Sequence, residues 1–282
     1  MTGFHITVDQ MFSQSHAKRV FRADHRLVSC YAWHYRNDPG FTLACEASLS
    51  KAERIRAGAL GAPGSRQAFI QRRAFKGWLL RTLGHGEWAL HTPGAGWHKR
   101  SLPRDTQGQS VSVTSTDALA IMALANCERL GVDAEAPATD TDVRALAATL
   151  FTPGEHDSVQ RASDNDARVL FHRLWRLKEA GLKYAGLGLA QDLNRFVFAG
   201  HGSGTLRVQS SSGTDQHAGM TTPAFFECRF MGLDLALALP ATSGGAGRWQ
   251  VARAIPQDPW QNGSATSGRT ASAGGISPAP AG

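Results

Sequence analysis

The chain has 282 residues, 42% of them hydrophobic, so it can bury the core of one large domain or of two lobes. No run approaches the ~18 consecutive apolar residues of a membrane span, which argues against a membrane protein. The net charge of +7 is unevenly spread: residues 51–110 hold eleven Lys/Arg against three Asp/Glu, and residues 117–166 hold three Arg against ten Asp/Glu. The first stretch offers a place to phosphates and the second to a cation, unless both are solvated faces.

Residues 1–25 show no strong pattern, and the N-terminus has no basic region followed by an apolar one, so no signal peptide is expected. The stretch 26–46 reads as strand-like material broken by a turn at Asn37-Asp38-Pro39-Gly40. Residues 49–62 read as a short helix with a capping box of Ser50 and Glu53. A second helix follows, capped by Ser65, with Phe69, Ile70, Ala74, Trp78 and Leu79 on its apolar side and Gly84 as its stop. Residues 85–109 look like an extended loop. Strands are expected over 110–116, over the apolar run 118–125, and at Gly131–Glu135. A helix from Asp140 to Leu150 and one opened by Thr152-Pro153 precede a long helix starting near Asp164 or Asp166. Three strand-like stretches then run to about residue 240. The rest, 241–282, is rich in Ala, Gly, Ser and Pro and reads as a disordered tail, interrupted by a stretch near Arg248–Trp260 that could dock. Four scattered cysteines with no CxxC pair fit a reduced, cytoplasmic protein and give no reason to expect zinc.

Chemistry concentrates in two stretches. In the long helix, Trp175, Glu179 and Lys183 recur at i, i+4 and i+8 and lie along one side. On the strand Gly131–Glu135, Asp133 and Glu135 point to one face. Three carboxylates from a strand and a helix suit a hard divalent cation, which prefers oxygen ligands. Taken singly, Glu179 and Lys183 read first as a surface i,i+4 pair, and Asp133 and Glu135 read equally as an exposed strand edge or a metal site. A basic pI alone is weak support for nucleic acid, and no zinc finger, RNA-recognition signature or helix-turn-helix is present.

In combination, Gly131-Val132-Asp133-Ala134-Glu135 followed by Trp175, Lys178, Glu179, Ala180 and Lys183 and the glycines Gly186 and Gly188 resembles the 4'-phosphopantetheinyl transferase superfamily, in particular its surfactin-synthetase-activating type. Phe151-Thr152-Pro153-Gly154-Glu155 is similar to a further motif between them, and residues from Leu49 to Ala74 loosely resemble the first-lobe pattern. The resemblance implies an α+β fold of two similar α/β lobes related by a pseudo-twofold, with a ligand cleft between them. On this reading the lobes span 1–117 and 118–240. It also implies transfer of the phosphopantetheine arm of coenzyme A to a serine of an apo acyl or peptidyl carrier protein, with Mg²⁺ (Mn²⁺ as the alternative), releasing adenosine 3',5'-bisphosphate. A monomer that uses neither nucleic acid nor membrane is expected.

The same resemblance assigns Asp133, Glu135 and Glu179 to the metal. It makes Glu179 the first choice for the base, with Glu155 second and Lys183 beside them. Arg66, Arg73, Lys99, Thr114, Ser115, Lys178 and Lys183 are assigned to the coenzyme. The superfamily's histidine before the acidic strand is replaced here by Ser115, and its Gly-Lys-Pro is approximated by Trp97-His98-Lys99. These departures motivate the alternative of a non-catalytic carrier-protein or coenzyme-binding module that keeps the fold.

Overall fold

A computed structural model describes residues 8–24, 26–84, 109–136, 141–187, 193–200, 206–210, 223–241, 252–253 and 255–257. The chain opens with α1 (Val8–Ser15), where no pattern was expected, followed by β1 (Ala17–Ala23) and β2 (Arg26–His34). The segment after β2 is not a second strand but α2 (Pro39–Ala47). Asp38 accepts from the Phe41 amide at its start and Pro39 occupies its first position, so Asp-Pro is a helix start here rather than a turn.

α3 (Lys51–Gly58) carries the expected Ser50–Glu53 capping box. α4 (Pro63–Thr82) starts two residues before Ser65, after Ala62, because proline presets its first turn. Its expected apolar side is buried, and Gly84 follows with φ +75°.

β3 (Ser110–Ser115), β4 (Leu119–Ala125) and β5 (Gly131–Glu135) follow. The next helix, α5 (Val143–Leu150), begins after Asp142, whose carboxylate caps it; Asp140 lies outside the described residues. α6 (Pro153–Arg161) and α7 (Asp164–Ala185) come next, α7 capped by Ser163 and ended by Gly186 at φ +72°. A 3-10 turn (Leu193–Arg195) leads to β6 (Val197–Ala199) and β7 (Arg207–Ser210). β8 (Pro223–Phe230) and β9 (Leu233–Pro240) form a hairpin through Met231 and Gly232, both at positive φ, as a two-residue loop with the strands' own twist demands. Within the stretch read as tail, β10 (Ala252–Arg253) and β11 (Ile255–Gln257) are formed, so the interruption does add to the sheets.

Two main sheets result, ordered β11-β1-β2-β4-β3 and β10-β8-β9-β5, besides the β6-β7 pair. β4 belongs to the first sheet, so a division after residue 117 cuts through that sheet, and the chain passes from one sheet to the other between β4 and β5. Alternating residues explain the layers. Val28, Cys30, Ala32, Leu119, Ile121 and Ala123 face Val132, Ala134, Leu235 and Leu237 of the second sheet. Their neighbours Tyr31, Trp33, Ala120, Met122 and Leu124 face the helices α1–α4. On the far side, Ala236 and Ala238 pack under α7. β4 is thus covered on both faces, which is why it reads as an unbroken apolar run. The same holds for β9, which is buried continuously from Leu235 to Leu239 instead of alternating. Among the described residues, no helix is long and apolar enough to cross a membrane.

Candidate active site

The chain brings its acidic and basic motifs together where α7 lies against β5. Gly131 makes that approach possible. A Cβ there would stand 1.9 Å from the Ala180 carbonyl oxygen and 2.7 Å from the Tyr184 amide, both backbone, so any other residue would push the helix away. Gly181 does the same on another side of α7, where a Cβ would meet the Phe196 ring at 2.5 Å. With the helix seated, the line Trp175–Glu179–Lys183 overlies the face of β5 that carries Asp133 and Glu135. Trp175 Nε1 donates to Glu135 Oε1 at 3.0 Å, and Lys183 Nζ reaches Asp133 Oδ1 at 2.6 Å. Lys183 therefore serves the strand carboxylate in an ion pair, not a solvent-facing pair on its own helix.

Asp133 is 3% exposed. Its Oδ1 also accepts from Thr114 Oγ1 at 2.8 Å, across the seam between the two sheets, and the Val132 amide donates to Ser112 Oγ at 3.0 Å beside it. Its other oxygen, Oδ2, is buried with no hydrogen-bond partner. An unpartnered buried carboxylate oxygen is costly unless something binds it.

Glu179 is 5% exposed, and its carboxyl is pushed up from 4.5 to about 7. Burial is the main cause; Asp133 and Glu135 add to it, and Lys183 opposes it. Glu135 is shifted up as well, by burial first and then by Asp133, with the Trp175 hydrogen bond, Lys183 and Arg176 opposing. The three carboxylates thus feel one another. Even so, among the described residues no group of three or more His, Cys, Asp or Glu side chains is gathered closely enough to hold a metal ion. Within the set read for the metal, Asp133 spends one oxygen on Lys183 and Thr114, and Glu135 spends one on Trp175. The donor chemistry still fits a hard divalent cation, through Asp133 Oδ2 and the adjacent Glu179 and Glu135, with substrate oxygens and water as further ligands.

Two expected site residues point elsewhere. Glu155 is 1% exposed and fully engaged: it accepts from the Thr152 amide and hydroxyl, from the Phe198 amide at 2.9 Å, and from Lys178 Nζ at 2.8 Å. It closes a capping box and an ion pair, and is no base for a substrate. Lys178 is 0% exposed and also donates to the Leu193 and Phe196 carbonyls, so it anchors the segment after α7 instead of meeting phosphates. Consecutive helical residues diverge by about 100°, and with Glu179 on the site its neighbour must face away.

Of the residues assigned to the coenzyme, Thr114 turns to Asp133, Arg66 pairs with Glu46 at 2.9 Å, and Arg73 pairs with Glu53 at 4.0 Å under the Phe69 ring. Ser115 receives a hydrogen bond from Arg72 Nη1, a residue that sequence reasoning passed over in favour of its neighbours. Only the 100° step from Arg73 to Arg72 on α4 separates the two, and spacing alone does not say which faces the strand end. Lys99 and Gly188 lie outside the described residues.

A family model described as the 4'-phosphopantetheinyl transferase superfamily matches residues 129–225, the segment that holds β5, α7 and the motifs on them. A curated protein, 4'-phosphopantetheinyl transferase HetI of Nostoc sp. (strain PCC 7120), is 28% identical over 153 residues, covering 51% of this chain and 62% of that relative. The match thus spans less than two thirds of the relative's length. The resemblance read from the motifs is borne out at the level of the superfamily.

Proposed function

Residues 129–225 carry the pattern of the 4'-phosphopantetheinyl transferase superfamily, and on that premise we propose that the chain transfers the phosphopantetheine arm of coenzyme A to a serine of an apo acyl or peptidyl carrier protein. The reading includes the two-lobe, surfactin-synthetase-activating type, each lobe built on one of the two main sheets with the coenzyme between them, acting as a cytoplasmic monomer. The observation that carries it is the buried Asp133 with one unpartnered oxygen, lying beside Glu179 and Lys183.

Asp133, Glu179 and Glu135 would hold Mg²⁺, which when bound neutralises charge on the diphosphate. The serine oxygen attacks the phosphorus nearer the pantetheine, and the bond from that phosphorus to the bridging oxygen breaks. The leaving group is adenosine 3',5'-bisphosphate, so atoms and charge balance once the serine proton is taken up. Glu179, beside the metal position, takes that proton directly or through a water. Lys183, held at Asp133, presents a point charge to the phosphates. Thr114 and Trp175 position Asp133 and Glu135 through their hydrogen bonds.

The test is the intact mass of a panel of apo carrier proteins after incubation with the protein, coenzyme A and Mg²⁺, with an EDTA control. A phosphopantetheine mass gain that EDTA removes is expected. No gain on any carrier would overturn the reading, and the best substrate in the panel identifies the pathway.

A further inference from the structure

Arg176 is a buried cation to which the transferase reading gives no role. It is 6% exposed, and its Nε has no hydrogen-bond partner among the described residues. Its ionic contacts are Glu227 at 3.7 Å and Asp234 at 4.0 Å, both longer than a hydrogen bond. Glu227 needs no second cation, because Arg173 already donates to both of its oxygens. A guanidinium taken out of water without hydrogen bonds is costly. With no bond to orient a ligand, what Arg176 supplies is charge.

The strand registers show where that charge acts. Glu135 of β5 lies directly opposite Asp234 of β9, and Glu227 of β8 lies opposite Ala236, two residues further along β9. Two-residue spacing keeps Asp133, Glu135, Asp234 and Glu227 on one face of the sheet, the face under α7. Like charges directly opposite one another are destabilising, and α7 lays Arg173, Arg176 and Lys183 over them. Arg176 also reaches the site itself: it opposes the upward shift of Glu135 and is in the field of Asp133. His172, one turn earlier, adds no charge, since burial first and then Arg176 disfavour its imidazolium. With Glu179, five carboxylates face three cations, which leaves two negative charges when all are ionised, the charge that one divalent cation neutralises. We infer that Arg176 is the electrostatic counterweight of this face: it offsets Asp234 and Glu227, which lie beside the proposed ligands, and thereby limits how tightly Asp133, Glu135 and Glu179 hold a divalent cation. The inference rests on the metal assignment made above for the identity of the ion, and names a residue outside that assignment.

Calorimetric titration of the full chain with Mn²⁺, in the absence of coenzyme and carrier, tests it apart from turnover. Arg176→Met keeps most of the apolar stem and removes the charge. It is expected to tighten Mn²⁺ binding by about tenfold, the effect of losing one positive charge near a doubly charged ion at protein-like screening. Arg176→Lys, which restores the charge, should bind as wild type. A merely structural role predicts the opposite sign, because a loosened site holds an ion less well. Unchanged or weaker Mn²⁺ binding by folded Arg176→Met overturns the inference and leaves the metal assignment standing, as does an Arg176→Lys protein that binds as tightly as Arg176→Met. Should Arg176→Met fail to fold, Asp234→Asn reads the same balance at an exposed position. With one negative charge fewer, it should weaken Mn²⁺ binding by about threefold, and wild-type affinity there overturns the inference. Absence of Mn²⁺ binding by the wild type overturns the metal assignment and the inference together.

Discussion

Replacing Glu179 by glutamine should stabilise the metal-free protein while abolishing transfer, and the stabilisation should grow with pH. The Glu179 carboxyl is raised from 4.5 to about 7, chiefly by burial. A raised carboxyl binds its proton more tightly when folded. Between those two values the folded state therefore holds more protons than the unfolded state, and stability falls as pH rises through that window. At 1.36 kcal/mol per pH unit, the full loss is at most about 3 kcal/mol. Because the side chain is 5% exposed, solvent screens little of it. Glutamine mimics the protonated acid and has no proton to lose. Urea unfolding of both proteins in metal-free buffer at pH 5 and pH 8.5 should show the stability difference widening in favour of Glu179→Gln by about 2–3 kcal/mol across that range. Differences that stay equal at the two pH values would refute the claim that Glu179 is a buried charge held against its preference. A variant that kept transfer at a rate near wild type would refute its role as the base.

Glu155→Ala should act through stability. It leaves the fully buried Lys178 without its carboxylate, a change that costs about 3–5 kcal/mol, and the fraction that remains folded should keep its turnover; a folded variant with wild-type stability and no activity would return Glu155 to the chemistry. Gly131→Ala forces a methyl group into the Ala180 carbonyl and should cost at least the ~1–3 kcal/mol of overpacking, read by thermal unfolding; an unchanged melting temperature would show that α7 can retreat from β5 at no cost. Ending the chain at residue 261 should leave activity and melting temperature unchanged, whereas ending it at residue 250 removes the strands that pair with β8 and β1 and should lower the melting temperature by about 5–10 °C. Equal melting temperatures for the two truncations would show that these strands add nothing to the two sheets.

The site was legible where one residue's position fixes another's. The i, i+4, i+8 line of Trp175, Glu179 and Lys183 and the i, i+2 pair of Asp133 and Glu135 follow from helix and strand periods, and the structure brings them into contact as those periods require. Lys178 and Glu155 share the motifs but not the site: each is buried and engaged in their mutual ion pair. The 100° between Lys178 and Glu179 already put one of them off the site, and Thr152-x-x-Glu155 already spelled a capping box. α2 was missed for a related reason: Asp38-Pro39 fits a turn and a helix start equally well, and only the following Phe41 and Cys45, buried on one side, decide between them. The docking of β10 and β11 depends on open edges of β8 and β1, a property of the sheets that those short strands themselves do not contain.

The seam between the sheets explains why β3 carries hydroxyls where its neighbours carry aliphatic groups. Ser110, Ser112 and Thr114 alternate with Val111 and Val113, a pattern that by itself suggests a half-exposed strand. Yet all three hydroxyl residues are buried. Ser112 accepts the Val132 amide and Thr114 donates to Asp133, so the polar face of β3 docks on β5, not on water. Among the described residues, β5 has a hydrogen-bonded strand partner on only one side, β9, and its remaining backbone groups would be costly orphans without such contacts. One set of hydroxyls therefore joins the sheets and fixes Asp133, the carboxylate that the proposed chemistry uses. The position of Asp133 is therefore set by both sheets at once, through Thr114 of the first and the β9 pairing of the second.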